Sequence, residues 1–158
     1  MADNLQVTTE QLDDIPVLLA QGKKIGIPEL LDQQFLSHGN WQGTSFGWTK
    51  TVWMSHILSE GDHQLNQVQP WVEKRPHILE INTGQNVRAS ELSDDRLGIA
   101  LDELANAEKW KAFETELNQR TLRVYDLKPK RVRVDSSTAS GYWTHCADQC
   151  RFDRVFHG

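Results

Sequence analysis

Apolar residues recur at helical spacing in three segments of the first half of the chain, at 11–21, 28–36 and 49–60. Gly22 can end the first segment and Gly61 the third, because glycine readily takes the left-handed conformation found at helix ends. The pattern therefore predicts a helical N-terminal domain, and three such helices would allow a three-helix bundle.

Proline and asparagine mark further boundaries along the chain. A short helix from Gln64 is expected to end before Pro70, and the stretch around Pro76 is predicted to be a linker or a short extended piece. Asn106 is expected to separate two later helices. The predicted segments are a helical N-terminal domain at 1–72, a linker at 73–90, a helical connector at 91–128 and a last segment at 129–158.

Near the end of the chain the pattern changes from helical to alternating. Val132 and Val134 alternate with Arg131 and Arg133, which is typical of a half-buried strand. The strand stops at Asp135, which is followed by three hydroxyl residues. A carboxylate at a strand end suits Mg²⁺, which prefers oxygen ligands, although such an Asp more often forms a turn or a cap.

The residues around this strand end resemble a known family. Val134-Asp135-Ser136-Ser137-Thr138 is similar to the end of the first RNase H-like strand in DDE transposases of bacterial insertion sequences, in the insertion-sequence-4-like group. The resemblance covers most of residues 5–143 and weakens from His145 onward. The upstream segments that also resemble this group are Ile15–Leu19, Ile25–Asp32, Thr49–Ser59 and Leu92–Asp102.

The resemblance implies a fold and an activity. The fold is mainly α, with a helical N-terminal domain followed by helices and the first strands of an incomplete RNase H-like α/β domain. The parent activity is DNA transposition by Mg²⁺-dependent strand cleavage and transfer, with Asp135 as the first catalytic, metal-binding carboxylate. A second Asp and a Glu lie further downstream in such transposases. We therefore expect a truncated chain that is catalytically incomplete by itself.

Charge is distributed unevenly along the chain. The net charge of −5 argues against generic nucleic-acid binding, and residues 1–67 account for all of it. The segment from Arg120 to Arg133, however, contains six basic residues and one acid, Asp126. This excess of positive charge predicts a DNA-facing stripe. The alternative is a solvated strand edge protected by its charges. The residues expected to bind DNA are Lys128, Lys130, Arg131 and Arg133.

Other residues suggest chemistry less directly. Cys146 and Cys150, with His145 and His157, offer zinc-ligand types, but their spacing fits no standard zinc site. Tryptophans at 41 and 48 could stack on bases, or pack in the core with those at 53, 71 and 110. His56 is more simply a core histidine. The N-terminus is not a secretory signal and no apolar run could span a bilayer, so we expect a cytoplasmic protein.

Three interpretations remain open from the sequence. The first is the transposase fragment, with DNA at the element ends as its partner and a second copy or a full-length transposase as a possible protein partner. The second is a non-enzymatic helical module that binds DNA or another transposase chain. The third is a degraded gene product without a selected role. A helix-turn-helix is weakly supported, because 49–60 offers few side chains for reading bases.

Overall fold

The computed structural model describes residue 7 and residues 9–35 and 43–128. Contacts divide the chain into two compact units, 1–128 and 129–158, so all described residues belong to the first unit. About 74% of them are helical and none of them forms a strand. The mainly α character is therefore confirmed, whereas the predicted RNase H-like strands lie outside the described residues.

The first unit contains seven α-helices and one short 3-10 helix among its described residues. The residues predicted to form a separate domain, a linker and a connector all fall within this unit. In chain order the elements are α1 (Ile15–Ile25), α2 (Ile27–Gln34), α3 (Phe46–Glu60), α4 (Leu65–Glu73), α5 (Pro76–Thr83), the 3-10 helix (Ala89–Leu92), α6 (Asp94–Leu104) and α7 (Ala107–Val124).

Helix α3 lies at the centre of the unit. It packs against α1, α2 and α4 and against the 3-10 helix, and ten of its 15 residues are buried. The Ser45 hydroxyl caps its first turn by accepting a hydrogen bond from the Trp48 N–H at 3.2 Å. Gly61, in the left-handed conformation, ends it as the sequence predicts.

Two hydrophobic clusters flank α3. The larger cluster joins α1, α3, α4, α5, the 3-10 helix and α6, and includes Ile15, Val52 and Leu79. The smaller cluster joins α2, α6 and α7 to the start of α3 through aromatic residues. In it the Phe35 ring lies 6.2 Å from the Phe46 ring centroid and 6.1 Å from that of Phe113. Both clusters depend on the burial of α3.

The end of α1 differs from the sequence prediction. Gly22 lies inside the helix, and the helix ends instead at Gly26, with φ of 83°. Gly22 is buried because α3 approaches closely: a Cβ there would lie 3.0 Å from the methyl of Thr51. This glycine serves helix packing and not helix termination, a distinction that local sequence does not make.

Two predictions about prolines are also wrong. Helix α4 continues through Pro70, because the next two residues, Trp71 and Val72, are buried in the larger cluster and hold the turn in place. The stretch around Pro76 is helix α5 and not an extended piece. Its first turn is capped by the Glu10 carboxylate, which accepts hydrogen bonds from the N–H groups of His77 and Ile78 at 3.0 and 2.9 Å.

The break between the last two helices is confirmed. Asn106 is the N-cap of α7, and its side-chain oxygen accepts a hydrogen bond from the Lys109 N–H at 3.0 Å. Helix α7 then runs unbroken to Val124 and packs against α1, α2 and α6. It therefore brings Arg120 and Arg123, the first two residues of the predicted basic stripe, onto the same unit as the N-terminal helices.

Because α2 and α3 approach closely at Gly47, we predict that a side chain at this position is not tolerated. A Cβ on Gly47 would lie 1.9 Å from the carbonyl oxygen of Pro28, so Gly47→Ala must push the two helices apart. We expect a loss of about 2–4 kcal/mol in the free energy of unfolding, measured by urea denaturation. The matched control is Gly98→Ala on α6, where a Cβ meets nothing within 4 Å. That change should stabilise by about 0.5–1 kcal/mol, and equal effects at the two sites would contradict the packing argument.

Candidate nucleic-acid interface

Helix α3 does not offer a surface for reading bases. Two of the polar side chains of 49–60, Lys50 and Ser55, are only 4% and 2% exposed. Trp48 is also buried, so its ring packs in the core and is not available to stack on a base. Trp53 and Trp71 are buried as the sequence predicts, but Trp110 is 39% exposed, contrary to its predicted core position. Among the described residues, a surface for nucleic acid would therefore have to be sought on the outer helices.

The end of α1 and the end of α7 enclose an open groove of about 520 Å³. Four basic residues line it, two from each helix, together with two glutamates. The basic residues thus exceed the acidic ones by two within a single concave surface, which attracts anions. The lining residues are Lys23, Lys24, Ile25, Gly26, Glu29, Glu116, Arg120, Arg123 and Val124.

Specific contacts hold the two helix ends together. The Tyr125 hydroxyl, just after α7, donates a hydrogen bond to the Gln21 amide oxygen at 2.7 Å. The Lys24 ammonium lies 4.8 Å from the centroid of the Tyr125 ring, a cation–π contact. The Arg120 guanidinium packs against Gly26, where a Cβ would be only 2.5 Å from Nη1. The spacing of the four basic residues is therefore set by packing.

Glu116 partly neutralises the groove. Its Oε1 atom lies 3.2 Å from Arg120 Nε and 3.2 Å from Arg123 Nη2. The Arg123 side chain is 67% exposed and that of Glu116 is 37% exposed. Exposed ion pairs of this kind contribute about 0–1 kcal/mol. The Arg123 guanidinium can therefore turn to a phosphate at small cost, whereas the Arg120 side chain is only 26% exposed and is held against Gly26.

The structure describes one of the residues predicted to bind DNA. Lys128 is exposed, and its Nζ lies 3.6 Å from the Asp126 carboxylate. Lys130, Arg131 and Arg133 lie outside the described residues, so their role stays a prediction.

The predicted metal ligand cannot be placed either, because Asp135 also lies outside the described residues. Within 9–35 and 43–128, no group of three or more His, Cys, Asp or Glu side chains could hold a metal ion. The predicted Mg²⁺ site therefore remains a prediction, and the Cys and His residues between 145 and 157 also lie outside the described residues.

The structure adds Lys23 and Lys24 to the predicted stripe. The sequence prediction missed them because they belong to the acidic first half of the chain. Basic residues in the last turn of a helix usually serve the helix dipole, and that local signal conceals a second role. Only the packing of α7 on α1 brings them next to Arg120 and Arg123.

Two buried charges outside the groove have structural partners. Arg75, 4% exposed, lies between α1 and α3, with Nη2 at 3.2 Å from Asp13 and 3.3 Å from Glu60. Burial alone would raise the pKa of Glu91, but hydrogen bonds from Thr44 and Arg88 outweigh it and lower the pKa below its usual range. Both groups tie loops and helix ends together.

Comparison with known proteins identifies the family of this unit. Residues 7–117 match the family described as Domain of unknown function (DUF4277). The chain belongs to the DUF4277 family. This domain is found in transposase-like proteins. No curated protein and no solved structure matches the chain.

The DUF4277 match covers α1 to α6 and the first part of α7. It therefore includes Lys23 and Lys24, while Arg120 and Arg123 follow within six residues of its end. Among the described helices, none has the length and apolar character needed to cross a membrane.

The burial of Lys50 predicts a measurable pH dependence. Burial, helped by the like charge of Arg96, lowers the pKa of Lys50 to about 7. An unfolded lysine titrates near 10.4, so the unfolded chain binds more protons between these values. The cost of burying the ammonium is fully present below about pH 7, and it is lost as pH rises to about 10.

Replacing Lys50 with methionine should therefore stabilise the protein. We expect Lys50→Met to raise the free energy of unfolding by about 1–3 kcal/mol at pH 7, and by roughly 1–2 kcal/mol less at pH 9. Urea denaturation at both pH values measures this. Lys111→Met, at an exposed position on α7, is the control and should change little. A gain from Lys50→Met that is independent of pH would refute the argument.

Proposed function

We propose that the DUF4277 unit binds DNA through the groove between α1 and α7, as part of a DDE transposase. The observation that carries the proposal is the convergence of two lysines from α1 and two arginines from α7 on one concave surface. Phosphate groups are the natural ligands of such a surface, because lysine and arginine supply most backbone contacts to DNA. The presence of this domain in transposase-like proteins supports the same role.

Under this proposal the groove positions DNA and does not read its sequence. Phosphate contacts fix the register and orientation of a duplex but carry no base information. Tyr125, 41% exposed beside the groove, adds a ring that can pack against a sugar or an unpaired base. The basic stripe continues in sequence from Lys128 to Arg133 and ends beside Asp135.

The catalytic part of the proposal rests on the sequence resemblance. In the parent enzyme Asp135 would be the first carboxylate of a two-metal Mg²⁺ site that cleaves DNA and transfers a strand, in the bacterial cytoplasm. Its remaining ligands would come from a second Asp and a Glu downstream. A second copy, or a full-length transposase, would be the protein partner. A non-enzymatic DNA-binding module is the alternative, and it uses the same groove.

The salt dependence of DNA binding tests the groove. Fluorescence anisotropy with a labelled random-sequence duplex should show affinity that falls steeply as salt rises, because bound phosphates release counterions. The double variant Lys23→Ala/Lys24→Ala should weaken binding at low salt by tenfold or more. It should also reduce the slope of log affinity against log salt by about 0.9 for each phosphate that the variant no longer neutralises. Arg120→Ala/Arg123→Ala should do the same.

Two further variants sharpen this test. Lys74→Ala/Lys111→Ala removes two exposed lysines that do not line the groove, and it should leave the slope unchanged. Glu116→Gln removes the acid that pairs with both arginines, and it should strengthen binding several-fold with a small effect on stability. Equal losses in the control and the groove variants would contradict the proposal. So would binding that is insensitive to salt.

The transposase assignment has a separate test in the genomic DNA after the Gly158 codon. If the chain is part of a DDE transposase, one of the three downstream frames should encode further RNase H-like strands with a second Asp and a Glu. Translation of the sequenced region measures this directly. Downstream DNA that encodes neither carboxylate in any frame would favour the non-enzymatic module. The groove prediction stands or falls independently of that outcome.

A further inference from the structure

The α1–α7 groove has an apolar component that contacts to phosphates do not use. Ile25 from the end of α1 and Val124 from the end of α7 line the groove together with its charged residues. Close to Val124 in the chain, the side chains of Leu122 and Leu127 are exposed as well. A duplex keeps its bases stacked inside and presents phosphates and sugars, so it would leave this apolar surface largely uncovered.

Tyr125 presents an aromatic ring next to this apolar surface. It directly follows Val124, and it is 41% exposed. Its hydroxyl donates to the Gln21 amide oxygen at 2.7 Å, and the Lys24 ammonium lies 4.8 Å from the ring centroid. Because both partners belong to α1, the ring is held in one orientation although it lies near the surface. A ring that is already positioned loses little rotamer freedom when a ligand stacks on it.

Positive charge is available beside the ring. Lys23 is exposed on α1, and the Arg123 side chain is 67% exposed. The ion pair between Arg123 and Glu116 is exposed too, and such pairs are weak enough to exchange for a phosphate. A basic groove with an aromatic ring beside it is the combination by which proteins bind single-stranded nucleic acid, because the cations follow the backbone and the ring stacks on a base.

The size of the groove also favours one strand. Its volume of about 520 Å³ is that of a cube roughly 8 Å on a side. A protein helix is about 10–12 Å in diameter, and the major groove of a duplex alone is about 12 Å wide. The groove can therefore seat a single extended strand, but it is too narrow to enclose a duplex or a partner helix.

We propose that this groove prefers an unpaired DNA strand to a duplex, with a base stacked on Tyr125 and the neighbouring phosphates on Lys23 and Arg123. The inference rests on the proposed DNA-binding function and deepens it by naming the form of DNA that fits. A duplex would still bind through the phosphates of one of its strands, but the ring and the apolar surface would gain nothing from it. Stacking tolerates any base, because every base has a π face.

Fluorescence anisotropy of the full chain with three labelled probes of equal length tests the inference. The probes are a single strand of thymidines, the same strand with abasic sites in place of the bases, and a duplex. The abasic strand keeps the phosphates and sugars, so it isolates the contribution of the bases. At low salt the thymidine strand should bind at least fivefold tighter than either of the other probes.

Substitutions of Tyr125 identify the ring as the source of this preference. Tyr125→Leu should remove the advantage of the thymidine strand over the abasic strand. Tyr125→Phe is the matched control: it loses the hydrogen bond to Gln21 but keeps the ring, so it should retain most of the advantage. Tyr125→Trp offers a larger ring and should increase it. The affinity for the duplex should change less than twofold in all three variants, which also shows that the groove is intact.

The outcomes separate this inference from the proposed function. Salt-sensitive binding of all three probes with equal affinity would overturn the preference for an unpaired strand and leave the DNA-binding role in place. Retention of the full preference in Tyr125→Leu would likewise overturn it. If none of the probes binds, both the inference and the proposed function are wrong.

Discussion

The enclosure of α3 by other helices is the constraint on which the rest of the structure depends. A helix buried on most of its surface has little water to bind its polar side chains, so its own backbone is the nearest source of partners. The Thr49, Thr51 and Ser55 hydroxyls use it by donating to carbonyl oxygens four residues back, at 2.8, 2.8 and 2.9 Å. Gly47 has no side chain at the point where Pro28 approaches. With the centre filled in this way, ligand-binding surfaces within the described part of the chain lie on the outer helices or where they meet α3.

Much of the helical fold could be predicted because its boundaries are local. Asn106 caps α7 with its own side chain, and Gly61 ends α3 through its own backbone conformation. The errors occur where the decisive contact is distant in sequence. Helix α5 begins where Glu10, 67 residues earlier, accepts hydrogen bonds from its first turn. Helix α4 tolerates Pro70 because the residues that follow are buried. No pattern of spacing or propensity within 64–84 contains this information.

Only the arginines of the candidate groove could be predicted, because the lysines reach it through a contact that is distant in sequence. Arg120 and Arg123 belong to a basic stripe that a charge count along the chain detects. Lys23 and Lys24 are separated from it by about a hundred residues, and the count assigns them to an acidic region. Their role depends on the packing of α7 against α1, which the Tyr125–Gln21 hydrogen bond reinforces. The predicted catalytic Asp135 rests on a sequence resemblance alone, so no contact among the described residues bears on it.

A net charge of −5 is compatible with a DNA-binding surface because charge acts locally in salt. Asp13 and Asp14 precede the first turn of α1, and the lysines at 23 and 24 occupy its last turn. At 1.5 Å per residue these two ends are about 15 Å apart, whereas the Debye length at physiological ionic strength is about 8 Å. The acids at the first end are also engaged, since Asp13 pairs with Arg75 and Asp14 accepts a hydrogen bond from the Ser59 hydroxyl. A phosphate approaching the groove therefore experiences mainly the two lysines, the two arginines and their two glutamates.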